Sequence, residues 1–210
     1  MMQNGSNGNP GMNPWDERYS KPGYFYGTEP NDFLREHCAL IAEGGNVLCL
    51  GEGEGRNAVF LAERGYRVVA LDQSTVGLDK ATRLAGARRV EIKTIATDLD
   101  GYQLEPARWD GIVSIWCHMS WNVRAAVYGR ILSGLKPNGT FLLEAYTPEQ
   151  LRMGTGGPKS ADLLPTLAEL RNHLNGLDLV HAVERERMVH EGTAHNGMSA
   201  VVQVIARRTS

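Results

Sequence analysis

The feature that most constrains this chain is a short apolar run that ends in alternating glycines. Val47-Leu48-Cys49-Leu50 leads straight into Gly51-Glu52-Gly53-Glu54-Gly55 and then into an amphipathic stretch. A short apolar run closed by a glycine turn reads as a buried strand. Glycines at alternate positions let the backbone take positive φ and lie close to another molecule with no Cβ between them. A helix opening directly afterwards presents free N–H groups at the same place. Strand, glycine turn and helix together form a cradle for a small ligand.

The rest of the chain repeats this rhythm. Strands are expected at 46–50, 67–71, 90–95, 111–116 and 140–145, with helices at 57–64, 74–87 and 122–135 between them. Ser74 is placed to cap the second of these helices. A further helix is expected from Pro30, stopped by Gly44-Gly45, and Lys136-Pro137-Asn138-Gly139 reads as a turn. Continuous apolar strands alternating with helices mean a parallel sheet covered on both faces. The last third breaks the pattern. After a glycine-containing insertion at 147–165 and a helix at 166–174, two strand-like runs, 177–190 and 198–207, have only seven residues between them. A parallel crossover needs a dozen or more residues, so this pair must be antiparallel. The expected fold class is α/β, a Rossmann-like seven-stranded and mostly parallel sheet with a C-terminal antiparallel hairpin. Residues 1–14, polar and rich in Asn and Gly, are expected as a disordered tail, and 15–210 as a single domain.

Composition removes several classes of partner. With 22 Lys+Arg against 24 Asp+Glu the net charge is −2, which gives no basic footprint for nucleic acid or an anionic membrane. No apolar run approaches the roughly 18 residues of a membrane span, and the first residues lack a secretory pattern. Three scattered cysteines, Cys38, Cys49 and Cys117, suit a reducing compartment, so the expectation is cytoplasmic. The histidines show no metal-ligand spacing, and no metal is expected.

Acidic residues mark the ligand. Glu52 and Glu54 in the turn would repel a pyrophosphate and suit a cationic amine or sulfonium better. Asp72 closes the second strand, 21 residues after Gly51, where a carboxylate accepts from ribose hydroxyls. Asp98 follows the third strand, placed to accept from an adenine amine with Leu99 against the ring. Gly53-x-Gly55-x-x-Ala58 also matches the dinucleotide fingerprint, which leaves a nucleotide-dependent oxidoreductase as a competing reading.

VLCLGEGEGRNAVFLAERGYRVVALDQSTVGLDKA resembles the first two motifs of class I S-adenosylmethionine-dependent methyltransferases. ATDL, WDGIVSIW and LKPNGTFLLEAY resemble the later ones, in order, over about residues 28–146. The opening WDERY…YGTEPNDFL and the Arg-Asn-Ala after the glycines resemble the tellurite-resistance and thiol-methyltransferase branch. The resemblance implies S-adenosylmethionine as cofactor and S-adenosylhomocysteine as product. It implies that Gly51, Gly53 and Gly55 approach the methionine part, that Asp72 binds the ribose and Gln73, Asp98 and Leu99 the adenine, with Glu52 a further cofactor-binding residue. Cys49 stands where the family often has an acid, and Glu52 is placed to take over part of its work.

Candidates on the acceptor side come from three segments. Ile115-Trp116-Cys117-His118-Met119-Ser120-Trp121 leaves the fourth strand beside the cleft, with His118 a candidate base and Trp116 a wall with cation–π capacity. The hairpin Glu191–Gly197 supplies His195 as a second candidate, with Asn196-Gly197 read as its turn. The aromatic arm 15–29 and the insertion 147–165 are expected to close over the acceptor, and Tyr26 of the arm and Trp116 are expected to contact the cofactor. A thiol, selenol or chalcogen compound is the expected small-molecule acceptor. The alternatives are an O- or N-methyltransferase of a small metabolite and a non-catalytic S-adenosylmethionine-binding protein.

Overall fold

The computed structural model describes residues 13–209. In chain order the elements are α1 Pro14–Tyr19, α2 Asp32–His37, β1 Asn46–Leu50, α3 Arg56–Glu63, β2 Arg67–Asp72, α4 Thr75–Ala87 and β3 Lys93–Ala96. They continue with β4 Trp109–Ile115, α5 Trp121–Tyr128, α6 Ile131–Gly134, β5 Leu135–Tyr146, α7 Leu167–His173, β6 Asp178–Glu191 and β7 His195–Arg207. One seven-stranded sheet has the order β3-β2-β1-β4-β5-β7-β6. β7 is antiparallel to both its neighbours, and the pairings among β1 to β5 are parallel.

Alternation along the strands sorts the core into two layers. Val47 and Cys49 of β1, Val68 and Ala70 of β2 and Val113 of β4 pack with Phe33 and Leu34 of α2 and Ala58 and Leu61 of α3. Leu48 and Leu50, Val69 and Leu71, and Ile112 face the opposite way, onto Tyr128 of α5, Ile131 of α6 and Leu170 of α7. Both faces of the sheet are therefore covered, as near-continuous apolar strands require.

Several boundaries differ from expectation for local reasons. Of the expected tail, residues 1–12 lie outside the described residues, while Asn13 caps α1 and Pro14 opens it. The arm 15–29 therefore begins as a helix. Pro30 lies before the α2 helix, which Asn31 caps through a bond from Leu34 N–H. β3 starts late because Val90 is consumed in the end of α4. Its N–H bonds Ala85 O at 3.0 Å while Arg89 sits at φ 60, the left-handed close of a helix. The helix expected over 122–135 breaks at Gly129 into α5 and α6. Lys136–Gly139 interrupts β5 rather than preceding it: Leu135 pairs with Trp109 and Thr140 with Gly111, leaving Asn138 at φ 63 in an irregular, shifted register. The hairpin is tighter than expected. Glu191 pairs with His195, only Gly192, Thr193 and Ala194 form the loop, and Asn196 and Gly197 lie in β7. The insertion carries two 3-10 turns, Pro148–Arg152 and Ala161–Leu163. Among the described residues no helix is long and apolar enough to cross a membrane.

Candidate functional site

The strand ends of β1, β2, β3 and β4 open onto a single cleft, as parallel α/β sheets arrange their ligand sites. Its volume is about 1100 Å³ with its open mouth included. Gly51, Glu52, Asp72, Gln73, Asp98 and Leu99 line one part, and Tyr26, Trp116, His118 and His195 the other. Every one of these was expected from the sequence to be a site residue.

The glycine turn is built for close approach. Gly51, Gly53 and Gly55 take φ of 61, 62 and 93, a region that costs an L-residue about 1–2 kcal/mol. A Cβ on Gly51 would stand 2.6 Å from Cys117 Sγ at the cleft wall. The other two glycines serve the scaffold and are not among the lining residues. A Cβ on Gly53 would meet the Tyr19 hydroxyl at 2.6 Å, and one on Gly55 would meet Ala81 of α4 at 2.5 Å.

Both turn carboxylates have protein partners. Glu52 Oε1 accepts from Asn57 N–H and Ala58 N–H at 2.9 and 2.8 Å, bracing the start of α3 where Cys49 beneath is fully buried. Burial pushes the Glu52 carboxyl up to about 7, against those helix N–H groups and Arg56. Glu54 also lines the cleft, and it has a structural task as well. It accepts from Phe25 N–H at 2.7 Å and pairs with Lys80 at 2.8 Å, so it straps the aromatic arm to α4. Lys80 also donates to the carbonyls of Lys21 and Gly23, and Asp16 accepts from Ser74 Oγ. The arm thus arrives at the cleft, where Trp15, Tyr19 and Tyr26 join the lining.

Asp72 is 7% exposed, and its two oxygens accept from Gly53 N–H and Ser74 N–H, each at 2.8 Å. Burial nevertheless holds its pKa above the ordinary value. A buried carboxylate with one donor per oxygen keeps acceptor capacity for ligand hydroxyls.

The acceptor side is a stack of rings. Trp116 sits at φ 54, strain that a bulky residue carries only where its surroundings hold it. Its N–H bonds Glu144 O at 2.9 Å and its Nε1–H bonds Glu191 Oε2 at 2.6 Å. The ring lies 4.4 Å from Tyr146 and 5.2 Å from His195, and His195 stacks on Tyr26 at 4.8 Å. Burial lowers both His118 and His195 to about 3; His195 adds to the effect on His118, Arg56 and Arg18 to that on His195. Both rings are neutral at pH 7. Among the described residues, His118 Nε2 is buried with no hydrogen-bond partner. Cys117 is pushed up to about 12 by burial and by Asp72, which makes it an inert thiol at neutral pH.

Behind the rings lies a charged cluster the sequence reading did not single out. Glu191 pairs with Arg56 and Arg187, Glu144 is held by Arg187 at 2.6 Å, and Asn31 Nδ2 donates to Glu144 at 2.6 Å and Glu191 at 2.8 Å. Burial pushes the Glu191 carboxyl up, but Arg56, Trp116 and Asn31 outweigh it and leave it below the usual range. The signal was present: a glutamate inside the apolar run of β5, fully buried here, demands cationic partners. The insertion contributes no residue to the cleft lining, and Arg152 there is exposed and pairs with Glu149.

With the strand order and the reversed β7, the fold is the Rossmann-like methyltransferase fold. Residues 47–139 match the family model described as a methyltransferase domain. One solved structure, from work on the conversion of a disulfide bond into a thioacetal group during echinomycin biosynthesis, has a TM-score of 0.73 and 17% identity. It covers 92% of this chain and 88% of that one. TehB from Haemophilus influenzae has a TM-score of 0.71 and 16% identity over 93% of this chain and 66% of its own. An S-adenosylmethionine-dependent methyltransferase from Mesorhizobium loti has a TM-score of 0.64 and 20% identity, covering 83% of this chain and 96% of that one. No curated protein matches the chain in sequence.

Proposed function

We propose that this protein is an S-adenosylmethionine-dependent methyltransferase that acts on a small soft nucleophile, a thiol, selenol or chalcogen compound. The methyltransferase-domain match and the structural neighbours indicate the cofactor. The cleft fits it on this chain's own residues. Gly51 lines the cleft with no side chain of its own, Asp72 retains acceptor capacity for a ribose diol, and Asp98 and Leu99 stand at the β3 end where an adenine would rest. Gln73 would flank the adenine, and Glu52 and the Gly51 backbone the methionine part. Tyr26 and Trp116 would wall the reacting end.

The cofactor supplies an activated methyl on a sulfonium, and the chain's residues supply place and dryness. The observation that carries the acceptor class is the state of the two histidines. A ring with a pKa near 3 is a poor base for a hydroxyl or an ammonium at neutral pH. A thiol with a pKa near 8.5 supplies its own anion, so positioning suffices. The neighbour from echinomycin thioacetal formation lends the sulfur reading further support. Calorimetric titration tests the cofactor: S-adenosylmethionine should bind, and binding of a nicotinamide dinucleotide in its place would overturn the reading.

A further inference from the structure

Both N–H groups of Trp116 end on buried glutamates from the other half of the sheet. The backbone N–H bonds Glu144 O of β5 at 2.9 Å, and the indole Nε1–H donates to Glu191 Oε2 of β6 at 2.6 Å. An indole nitrogen can only donate, so the direction of that second bond is fixed. Glu191 Oε2 also accepts from Arg56, while Oε1 accepts from Asn31 Nδ2 at 2.8 Å and from Arg187 at 3.4 Å. A carboxylate accepts on both oxygens and can serve all of these donors, whereas an amide would turn its NH2 toward some of them. Glu144 and Glu191 stand against Arg56 and Arg187, so the cluster is balanced in charge, as buried ions require.

Trp116 needs such an anchor. It holds φ 54, a conformation that a bulky side chain keeps only where its surroundings over-determine it. Its ring lines the cleft together with Tyr26 and His195. We infer that Glu191 is a positioning residue for methyl transfer: through the indole N–H it fixes the Trp116 ring at the acceptor end of the cleft, and with it the space left for the acceptor. The inference rests on the methyltransferase reading for its effect on turnover, but the anchoring bond itself does not.

The bond is read first in the full wild-type chain, by proton–nitrogen NMR of its four indole N–H groups. The Trp116 signal, assigned by its loss in Trp116→Phe, should lie downfield of the others, because its bond to a carboxylate is charge-assisted. A Trp116 signal among the others would overturn the proposal. The second arm is kinetic. With S-adenosylmethionine and a small thiol, Glu191→Gln should lower kcat about tenfold, the worth of one buried charge-assisted hydrogen bond. In a chain already carrying Trp116→Phe, which keeps a ring without the N–H, the same change should lower kcat by less than about twofold. A further loss of about tenfold in that background would show Glu191 acting by another route and refute the positioning role. If Glu191→Gln does not fold, the wild-type signal still decides. Failure of the wild type to bind S-adenosylmethionine would instead refute the methyltransferase reading, because the NMR arm needs no ligand.

Discussion

Replacing Asp72 separates two roles that one side chain holds together. Its oxygens each accept a backbone N–H at 2.8 Å, from Gly53 in the glycine turn and Ser74 at the cap of α4. Asp72→Ala leaves both donors without that partner in a buried place, at about 1–3 kcal/mol each. Removing the carboxylate also relieves its own burial, which already raises its pKa. The net loss of stability without ligand is therefore expected nearer 2 kcal/mol than the full sum. A ligand diol would lose a charge-assisted acceptor worth on the order of 1.5–3 kcal/mol, or about 10- to 150-fold in affinity. Denaturant unfolding reads the first effect, and calorimetric titration with S-adenosylmethionine at a temperature where the variant is folded reads the second. A variant that loses stability yet binds as the wild type does would make Asp72 a brace for the turn alone and refute the ribose assignment.

Other perturbations report on separate parts of the site. Glu54→Ala leaves Lys80 and Phe25 N–H without their carboxylate, and breaking such a buried pair should cost about 3–5 kcal/mol; hydrogen exchange over residues 14–26 should rise sharply, and unchanged protection would contradict the strap. Gly51→Ala meets Cys117 Sγ at 2.6 Å with φ 61, so the melting temperature should fall, and Cys117→Ala should restore part of it; no interaction between the two substitutions would sink that contact. His118 and His195, held near 3 in the folded chain, bind fewer protons folded than unfolded between pH 6.5 and about 3, so stability is lost as pH falls through that window. The slope for one ring is the difference between wild type and His195→Gln in denaturant titrations, and equal slopes would show that burial does not hold the ring neutral. Glu52, raised to about 7, acts in the opposite sense, lowering stability as pH rises from 4.5 toward 7, and Glu52→Gln should flatten that limb.

The parallel half of the sheet was legible because each strand there is a local event: an apolar run, a glycine or Asp at its end, a helix after it. Val47–Leu50 with Gly51 and Val68–Leu71 with Asp72 carry both the fold and one side of the cleft in contiguous sequence. The acceptor side was only half legible. His118 and His195 could be named as isolated histidines, but Tyr146 meets His195 across 49 residues, and Asn31 meets Glu191 across 160. Such pairings depend on β7 inserting beside β5, which no local pattern encodes. Asn196-Gly197 misled because its turn chemistry is real in isolation, while the cross-strand pairs His190–Asn196 and Glu191–His195 outweigh it and move the turn to Gly192. The strap role of Glu54 was not legible, because the sequence does not show that Lys80 lies on the neighbouring helix facing it.

The most direct test is release of S-adenosylhomocysteine when the wild-type protein is incubated with S-adenosylmethionine and, in turn, a small thiol, selenite and tellurite, against a control without acceptor. The account predicts release well above the control with at least one of these, rising with pH as a thiol acceptor ionises. Release no higher than the control with all of them, from protein that binds S-adenosylmethionine, would contradict the soft-nucleophile assignment.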